Sequence, residues 1–500
     1  MANTTNGPLQ VAIIGAGFGG LGLGYYLKRA GIENFTIFEK ADEVGGTWRE
    51  NTYPGSGCDI PSHLYSYSFE PHYPWAYRYG KQSEILEYQR FVTRKYGLGR
   101  HIRFNAEAAG AEFDEASGLW TLQLANGERI QARHLVSGVG QLHRPAYPKL
   151  PGLERFRGKA FHSARWDHDF DLKGKSVAVI GTGASAVQFV PEIAKQVQQL
   201  YVCQRTPGWF IPKFEKAFGP VTQWLLKTFP VIHDIDRWRI FFITETLANA
   251  YNGSKWIEGL VTLLAKAHMR IQVRDPELRK RLTPDFPVGC KRILLSNDWL
   301  PTMARPNVEV VSDPIREVTE DGVVTADGKL RKVDALIYGT GFTATDFLAP
   351  MSLRGLGGRD LRQTWSKGAE AYLGMSVPGF PNFFMMYGPN TNVGSGSIIY
   401  MLECQQRYIV QMIQAQQAGG WRYAELRDEA QAAYRAEIER RSAGTTYSGN
   451  CQSWYKTAEG RNTNNWVGTM LEFNRRTRQP DFAAYRTAPQ QTAAKLSQAA

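Results

Sequence analysis

The sequence is short of several things, and each shortage excludes something. No stretch of about 18 consecutive apolar residues occurs in its 500 residues, so no membrane-spanning helix is expected. The N-terminus has no basic segment leading into an apolar one. Its first apolar run, LQVAIIGAG, is short and ends in glycines, so no signal peptide is expected. Cysteine is scarce and odd in number: five, at 58, 203, 290, 404 and 451, with no C-x-x-C pair. That pattern argues against a disulfide scaffold, a metal site and a redox dithiol, and for a reducing, cytoplasmic setting. Long runs of one charge are missing too. The 59 Lys and Arg are dispersed among 47 acids, so the net charge of +12 does not form the basic cluster a nucleic acid requires. It gives instead a mild positive field that draws in phosphorylated small molecules.

What is present points to a globular chain of two or three domains, because 500 residues exceed what one hydrophobic core serves. The 49 glycines and the 48 Phe plus Tyr imply tight turns and aromatic-lined cavities. Leu9 to Ile14 (LQVAII) predicts a strand buried on both faces. Gly15, Gly17 and Gly20 follow as G-x-G-x-x-G. A helix is predicted over LGLGYYLKRA, stopped by Gly31, and a second strand, FTIFEK, carries Glu39. Gly15 permits the tight turn, Gly17 lets backbone approach a pyrophosphate, and Gly20 lets helix pack on strand. The helix N-terminus offers free N–H groups to that phosphate. Glu39, 24 residues after Gly15, stands where a carboxylate accepts from an adenosine ribose. The segment 41–69 is loop-like and glycine-rich, suited to close approach to a flat ring system. Its Asp59 stands among small and apolar neighbours as either a capping carboxylate or a buried acid with a partner. The candidates for this first site are Gly15, Gly17, Phe18, Gly20, Glu39 and Lys40, with Gly46, Thr47, Trp48, Asp59 and Tyr65 from the loops. Residues 101–140 read as short strands and turns that complete the first domain.

The unit is repeated. KSVAVI predicts a second buried strand, followed by Gly181, Thr182, Gly183 and Ser185 in a G-x-G-x-x-A turn that opens a helix containing Gln188. Twenty-four residues after Gly181 the chain places Arg205 where the first unit has Glu39. An acid there accepts from a free ribose hydroxyl, whereas a guanidinium clamps a 2′-phosphate, with Thr206 adding a hydroxyl. The first site therefore suits FAD and the second NADPH. Two such sites in one chain narrow the chemistry to flavin-dependent oxidoreduction.

Between the two turns lies FRGKAFHSARWD, with Phe156, Gly158, His162, Trp166 and Asp167 spaced as F-x-G-x-x-x-H-x-x-x-W-D. This resembles the linker signature of Baeyer–Villiger monooxygenases, and the resemblance runs from about residue 11 to about 470. It implies an α/β fold of two Rossmann-like dinucleotide-binding domains, for FAD and NADPH, with a helical insertion in the NADPH domain. The implied division is 1–145 and 385–500 for the FAD domain, 146–213 and 325–384 for the NADPH domain, and 214–324 for the insertion. The stretch Gly289-Cys290-Lys291-Arg292 resembles the family segment ending in the catalytic arginine. Arg292 is thereby implied as catalytic, paired with Asp59, and Lys291 as a second contact to the 2′-phosphate. Asn390 is implied in FAD contact, and Trp454 against the nicotinamide cofactor.

The implied reaction uses NADPH and O₂ to convert a ketone to an ester or lactone, through an oxygen adduct on flavin C4a, with sulfoxidation as a side activity. The expected partners are a small-molecule ketone and O₂, with no nucleic acid, in a monomer or weak oligomer. Two rival readings are a flavin monooxygenase acting on nitrogen or sulfur and a flavin-dependent reductase. Trp166-Asp167 and Lys291-Arg292 argue against the first, and the missing C-x-x-C against a disulfide reductase. Residues 214–275 match least. Their helical spacing reads as a cover over the NADPH domain, with a membrane-surface helix as the alternative.

Overall fold

In the computed structural model, which describes residues 7–449, 451, 455–457 and 459–489, the first apolar run is a strand, β1 (Leu9–Ile14). Val11, Ala12 and Ile13 are wholly buried, since β1 lies in the interior of an eight-stranded sheet. To one side run β2 (Phe35–Phe38) and β3 (Ile102–Arg103), both parallel to it. The strands β4 (Ala108–Asp114), β5 (Leu119–Leu124) and β6 (Arg129–Ser137) form an antiparallel meander, and β6 returns against β1 in parallel. Two strands from far along the chain, Ser352–Arg354 and Phe383–Met385, join β4 and β6.

The second sheet has five parallel strands. Its members β7 (Lys159–His162), β8 (Ser176–Ile180) and β9 (Gln199–Cys203) take the order Val308–Val311, β9, β8, Ala335–Tyr338, β7. The two sheets use one device. After β1 the chain turns at Gly15 (φ +98°), where a Cβ would lie 2.9 Å from the carbonyl oxygen of Gly138, just beyond β6. After β8 it turns at Gly181 (φ +107°), where a Cβ would lie 2.4 Å from that of Gly339, just beyond Ala335–Tyr338. Only glycine tolerates that backbone against a neighbouring turn. Helices open at once behind each turn, Phe18–Arg29 and Ala184–Ile193.

Three helices make up the insertion: Pro220–Thr228, Pro230–Tyr251 and Lys255–Gln272. The middle one is tied to the first domain. Asp236 pairs with His63 at 2.8 Å and Arg78 at 3.3 Å, and Asp234 pairs with His72 at 2.8 Å. Buried His233 lies among these rings, and it brings ligand atoms of His72, His233 and Asp234 within 4.8 Å of one another.

Three expectations need correction. Two short helices, Pro276–Leu282 and Trp299–Met303, follow within 214–324, but the β-branched run Val308–Val311, expected in the mainly helical insertion, takes the edge of the second sheet beside β9. Ser352–Arg354, expected within the second domain, belongs to the first sheet. Cys290 and Cys451 are disulfide-bonded, with Cα atoms 6.2 Å apart, while Cys58, Cys203 and Cys404 are free and buried. Their 161-residue separation gave no sign of the pairing, which the fold alone brings about.

Candidate active site

One cavity of about 600 Å³ opens behind the first glycine turn. Its wall begins at Gly15, Gly17 and Phe18, passes Glu39 and Lys40, and continues through Gly46, Thr47, Trp48, Asp59 and Tyr65. Gly20 lies behind the wall, where a Cβ would sit 2.0 Å from the carbonyl oxygen of Gly15. Glu39 accepts the backbone N–H of Ala16 at 2.7 Å and of Ala41 at 3.0 Å. Each bond uses one lone pair, so acceptor capacity remains on both carboxylate oxygens. Trp48 donates its indole N–H to the Tyr65 hydroxyl at 3.1 Å, which fixes two aromatic edges of the wall.

Arg292 reaches the far side of this cavity. Its guanidinium lies 3.6 Å from the Asp59 carboxylate, which is itself nearly buried. Burial acts to lower the arginine pKa, but Asp59 and the hydroxyls of Tyr455, Tyr251 and Tyr387 outweigh it and hold the value above the ordinary range. The site thus contains a fixed positive charge at every accessible pH. Tyr387 also lines the cavity and donates to the side-chain oxygen of Asn392 at 2.8 Å.

A second cluster forms behind Gly181 and Gly183. Lys291 donates to the Thr206 hydroxyl at 2.6 Å, and Thr182 donates to the Thr206 carbonyl at 3.3 Å. Burial and then the nearby charge of exposed Arg205 push the Lys291 pKa down, with Asp285 opposing. Two cations thus face each other where a dianionic group would relieve their repulsion.

Comparison with known proteins agrees with this geometry. The family model for flavin-binding monooxygenase-like proteins matches residues 9–352. A Baeyer–Villiger monooxygenase of Pseudomonas aeruginosa is 43% identical across 95% of this chain and 91% of its own length. A second, from Streptomyces coelicolor, is 42% identical across 98% and 95%. Among solved structures, an oxidised steroid monooxygenase bound to NADP superposes with a TM-score of 0.86 at 29% identity, covering 97% of this chain and all of that one. The closed form of cyclohexanone monooxygenase gives 0.85 at 28%, with the same coverage. The chain belongs to the flavin-binding monooxygenase-like family, among its Baeyer–Villiger enzymes.

In this monooxygenase the linker signature is built into the second sheet. Gly158 precedes β7, and a Cβ there would lie 2.5 Å from the Asp334 carbonyl oxygen and 2.5 Å from the Phe156 ring. His162 ends β7 fully buried, accepts the backbone N–H of Ala164 at 3.0 Å, and is neutral because burial pushes its pKa down to about 4. Trp166 packs against Phe161 and Phe189, and Asp167 pairs with Lys159 at 2.6 Å. None of these five lines the cavity.

Of two contacts that join the two domains, sequence reasoning missed the first. Arg165, within the signature but at a variable position, pairs with Glu50 of the first domain at 2.5 Å. Burial would raise the Glu50 pKa, but Lys40, Arg165 and Arg49 around it bring it below the usual carboxylate range. Gln188, with Ser185 on the helix after the second turn, also lines the cavity. It grips the first domain by accepting from Tyr53 at 3.0 Å and donating to the Gly57 carbonyl at 2.9 Å. Asn390 is placed differently from expectation: its amide donates to the carbonyls of Asn462 and Asn465, so it braces that turn, while Asn392 reaches the cavity wall. Trp454 lies outside the described residues.

Proposed function

We propose that the cavity holds FAD, that the cluster behind Gly181 holds NADPH, and that Arg292 carries the oxygenation of a ketone to an ester or lactone. The observation behind this is the half-buried cation Arg292, which faces the wall built from the first glycine turn and is backed by the nearly buried Asp59. The residues fit the two groups. Gly17, before the first turn of the Phe18–Arg29 helix, lets the backbone approach a pyrophosphate, Glu39 keeps lone pairs for a ribose, and Lys291, Arg205 and Thr206 suit a 2′-phosphate.

When bound, NADPH supplies hydride to FAD, and the reduced flavin activates O₂. The chain's own part is electrostatic. Arg292 would donate from its guanidinium to the ketone oxygen as negative charge builds there, a preorganised cation aimed at developing charge. Asp59 is a positioning residue that orients the guanidinium. Tyr387 and Tyr65 keep their phenolic protons, since burial raises both pKa values, so neither serves as a base near neutral pH. Gln188 and Arg165 hold the domains around the cavity and limit water entry. Sulfoxidation by the same site is the expected side activity. The reading takes the protein as a cytoplasmic monomer or weak oligomer, working where NADPH is supplied.

The deciding measurement is NADPH oxidation by the FAD-loaded protein with a panel of ketones, with products weighed by mass spectrometry. Ketone-dependent turnover giving an ester one oxygen heavier than the ketone is the expected result. Oxygenation of sulfides and amines alone would reject the ketone assignment.

A further inference from the structure

The insertion presents an apolar surface that nothing among the described residues covers. Among the described residues 20 large hydrophobic side chains are exposed, and 15 of them fall between Phe214 and Ile271. They recur at helical spacing. On Pro230–Tyr251, Val231, Ile235, Trp238 and Phe242 follow one face at steps of four, three and four. The opposite face of that helix is also buried and largely apolar, through Ile240, Phe241, Ala248 and Tyr251, so its outward stripe is additional to what folding requires. On Lys255–Gln272 the outward stripe is Trp256, Leu260, Leu263, Leu264 and Ile271. On Pro220–Thr228 it is Val221 and Trp224. The three helices pack consecutively, first on second and second on third.

The charges on these helices divide by sign. Every exposed charged residue is basic: Lys227, Arg239, Lys255, Lys266 and Arg270. The four acids are each engaged within the protein. Asp234 and Asp236 pair with His72 and His63, Glu245 accepts the backbone N–H of Met470 at 2.7 Å, and Glu258 pairs with Lys255. Arg239 and Lys255 are paired with Asp236 and Glu258, which leaves Lys227, Lys266 and Arg270 as the exposed charges with no acid paired to them. Three outward tryptophans, a continuous apolar stripe and a mainly cationic fringe are the composition of a helix surface lying in the headgroup layer of an anionic membrane. A second copy of this chain would bring the same cations and a like net charge of +12 against them. No helix of the described residues is long and apolar enough to cross a membrane, so the contact is with one leaflet.

We propose that the three insertion helices dock this enzyme on an anionic lipid bilayer. The docking face is held rigidly to the catalytic body, because Tyr251 at the end of the middle helix accepts the backbone N–H of Ile293, next to Arg292, at 3.2 Å. The test is flotation of the full-length, FAD-loaded protein with vesicles of phosphatidylcholine alone or mixed with phosphatidylglycerol. Binding to the mixed vesicles is expected, at least tenfold stronger than to phosphatidylcholine and weakened by salt. Trp238→Glu with Trp256→Glu is expected to abolish flotation while flavin absorbance and NADPH oxidation persist, which separates lost docking from misfolding. Lys227→Gln with Lys266→Gln and Arg270→Gln should remove the preference for phosphatidylglycerol. No flotation, equal binding to both vesicle types, or undiminished binding by the tryptophan variant would overturn the proposal. So would concentration-dependent dimers without flotation that the tryptophan variant dissolves, since a second copy would then cover the face.

Discussion

Arg292 and Arg205 carry charges of the same sign, but their surroundings assign them different work. Arg292 sits at the cavity with Asp59 at 3.6 Å and three tyrosine hydroxyls around it. Arg292→Ala is expected to cut ester formation by at least about 10²-fold, as loss of a preorganised charge does elsewhere. Flavin bleaching by NADPH under anaerobic conditions should persist, since that step does not need charge on the ketone. Stopped-flow absorbance and product analysis read the two separately, and normal ester yield would remove Arg292 from the mechanism. Arg205 is exposed and shares its surroundings with Lys291. Arg205→Ala is expected to raise KM for NADPH by about tenfold, the size of a lost charge-assisted contact, and to leave KM for NADH nearly unchanged. Equal effects on both would refute a 2′-phosphate contact. The contrast between Glu39 and Arg205 was legible because both stand a fixed number of residues behind a glycine turn. The pair Arg165 and Glu50 was not, because 115 residues separate them, Arg165 holds a variable position of the linker signature and Glu50 belongs to no spaced motif.

Elements were legible where local chemistry decides them. Each glycine turn lies between a buried strand and a helix, and the spacing of apolar residues over 214–275 read as helical, where the chain forms three helices. Elements whose placement depends on distant partners were not. Ser352–Arg354 is three residues long and finds its sheet only through β4, some 240 residues earlier in the chain. The Cys290–Cys451 bond belongs to the same class: it ties the segment bearing Lys291 and Arg292 to the stretch leading to Tyr455. Thiol titration of the denatured, unreduced protein is expected to find three reactive cysteines, Cys58, Cys203 and Cys404. Five would show that the pair is not bonded, and would restore the fully reduced state that the cysteine spacing suggested.

Across the described molecule, each structural part holds a buried histidine whose pKa burial pushes far down. His134 lies in β6 of the first sheet, His162 ends β7 of the second, and His233 lies in the insertion. Burial pushes their pKa values down from an ordinary 6.5 to about 4, about 4 and about 3. In the unfolded chain each takes up a proton near pH 6.5; in the folded protein each stays neutral until about pH 4. Between those values the unfolded state binds more protons, so stability falls as the pH falls, and it is retained in full above the unfolded value. For His134, whose ring Nδ1–H donates to the Gln10 carbonyl at 3.2 Å and which lies almost wholly out of solvent, the loss is on the order of 3 kcal/mol. The thermal midpoint should therefore be level above about pH 7 and decline steadily from pH 6.5 towards 4.5. His134→Gln keeps a donor for the Gln10 carbonyl but cannot titrate. It is expected to lower the midpoint at neutral pH through imperfect packing, yet to flatten the acid slope, because one of the suppressed protonations is gone. A midpoint independent of pH down to 5, or a slope that the substitution leaves unchanged, would show that the acid sensitivity lies elsewhere, in the carboxylates paired across the domain junction at Glu50 and Asp236.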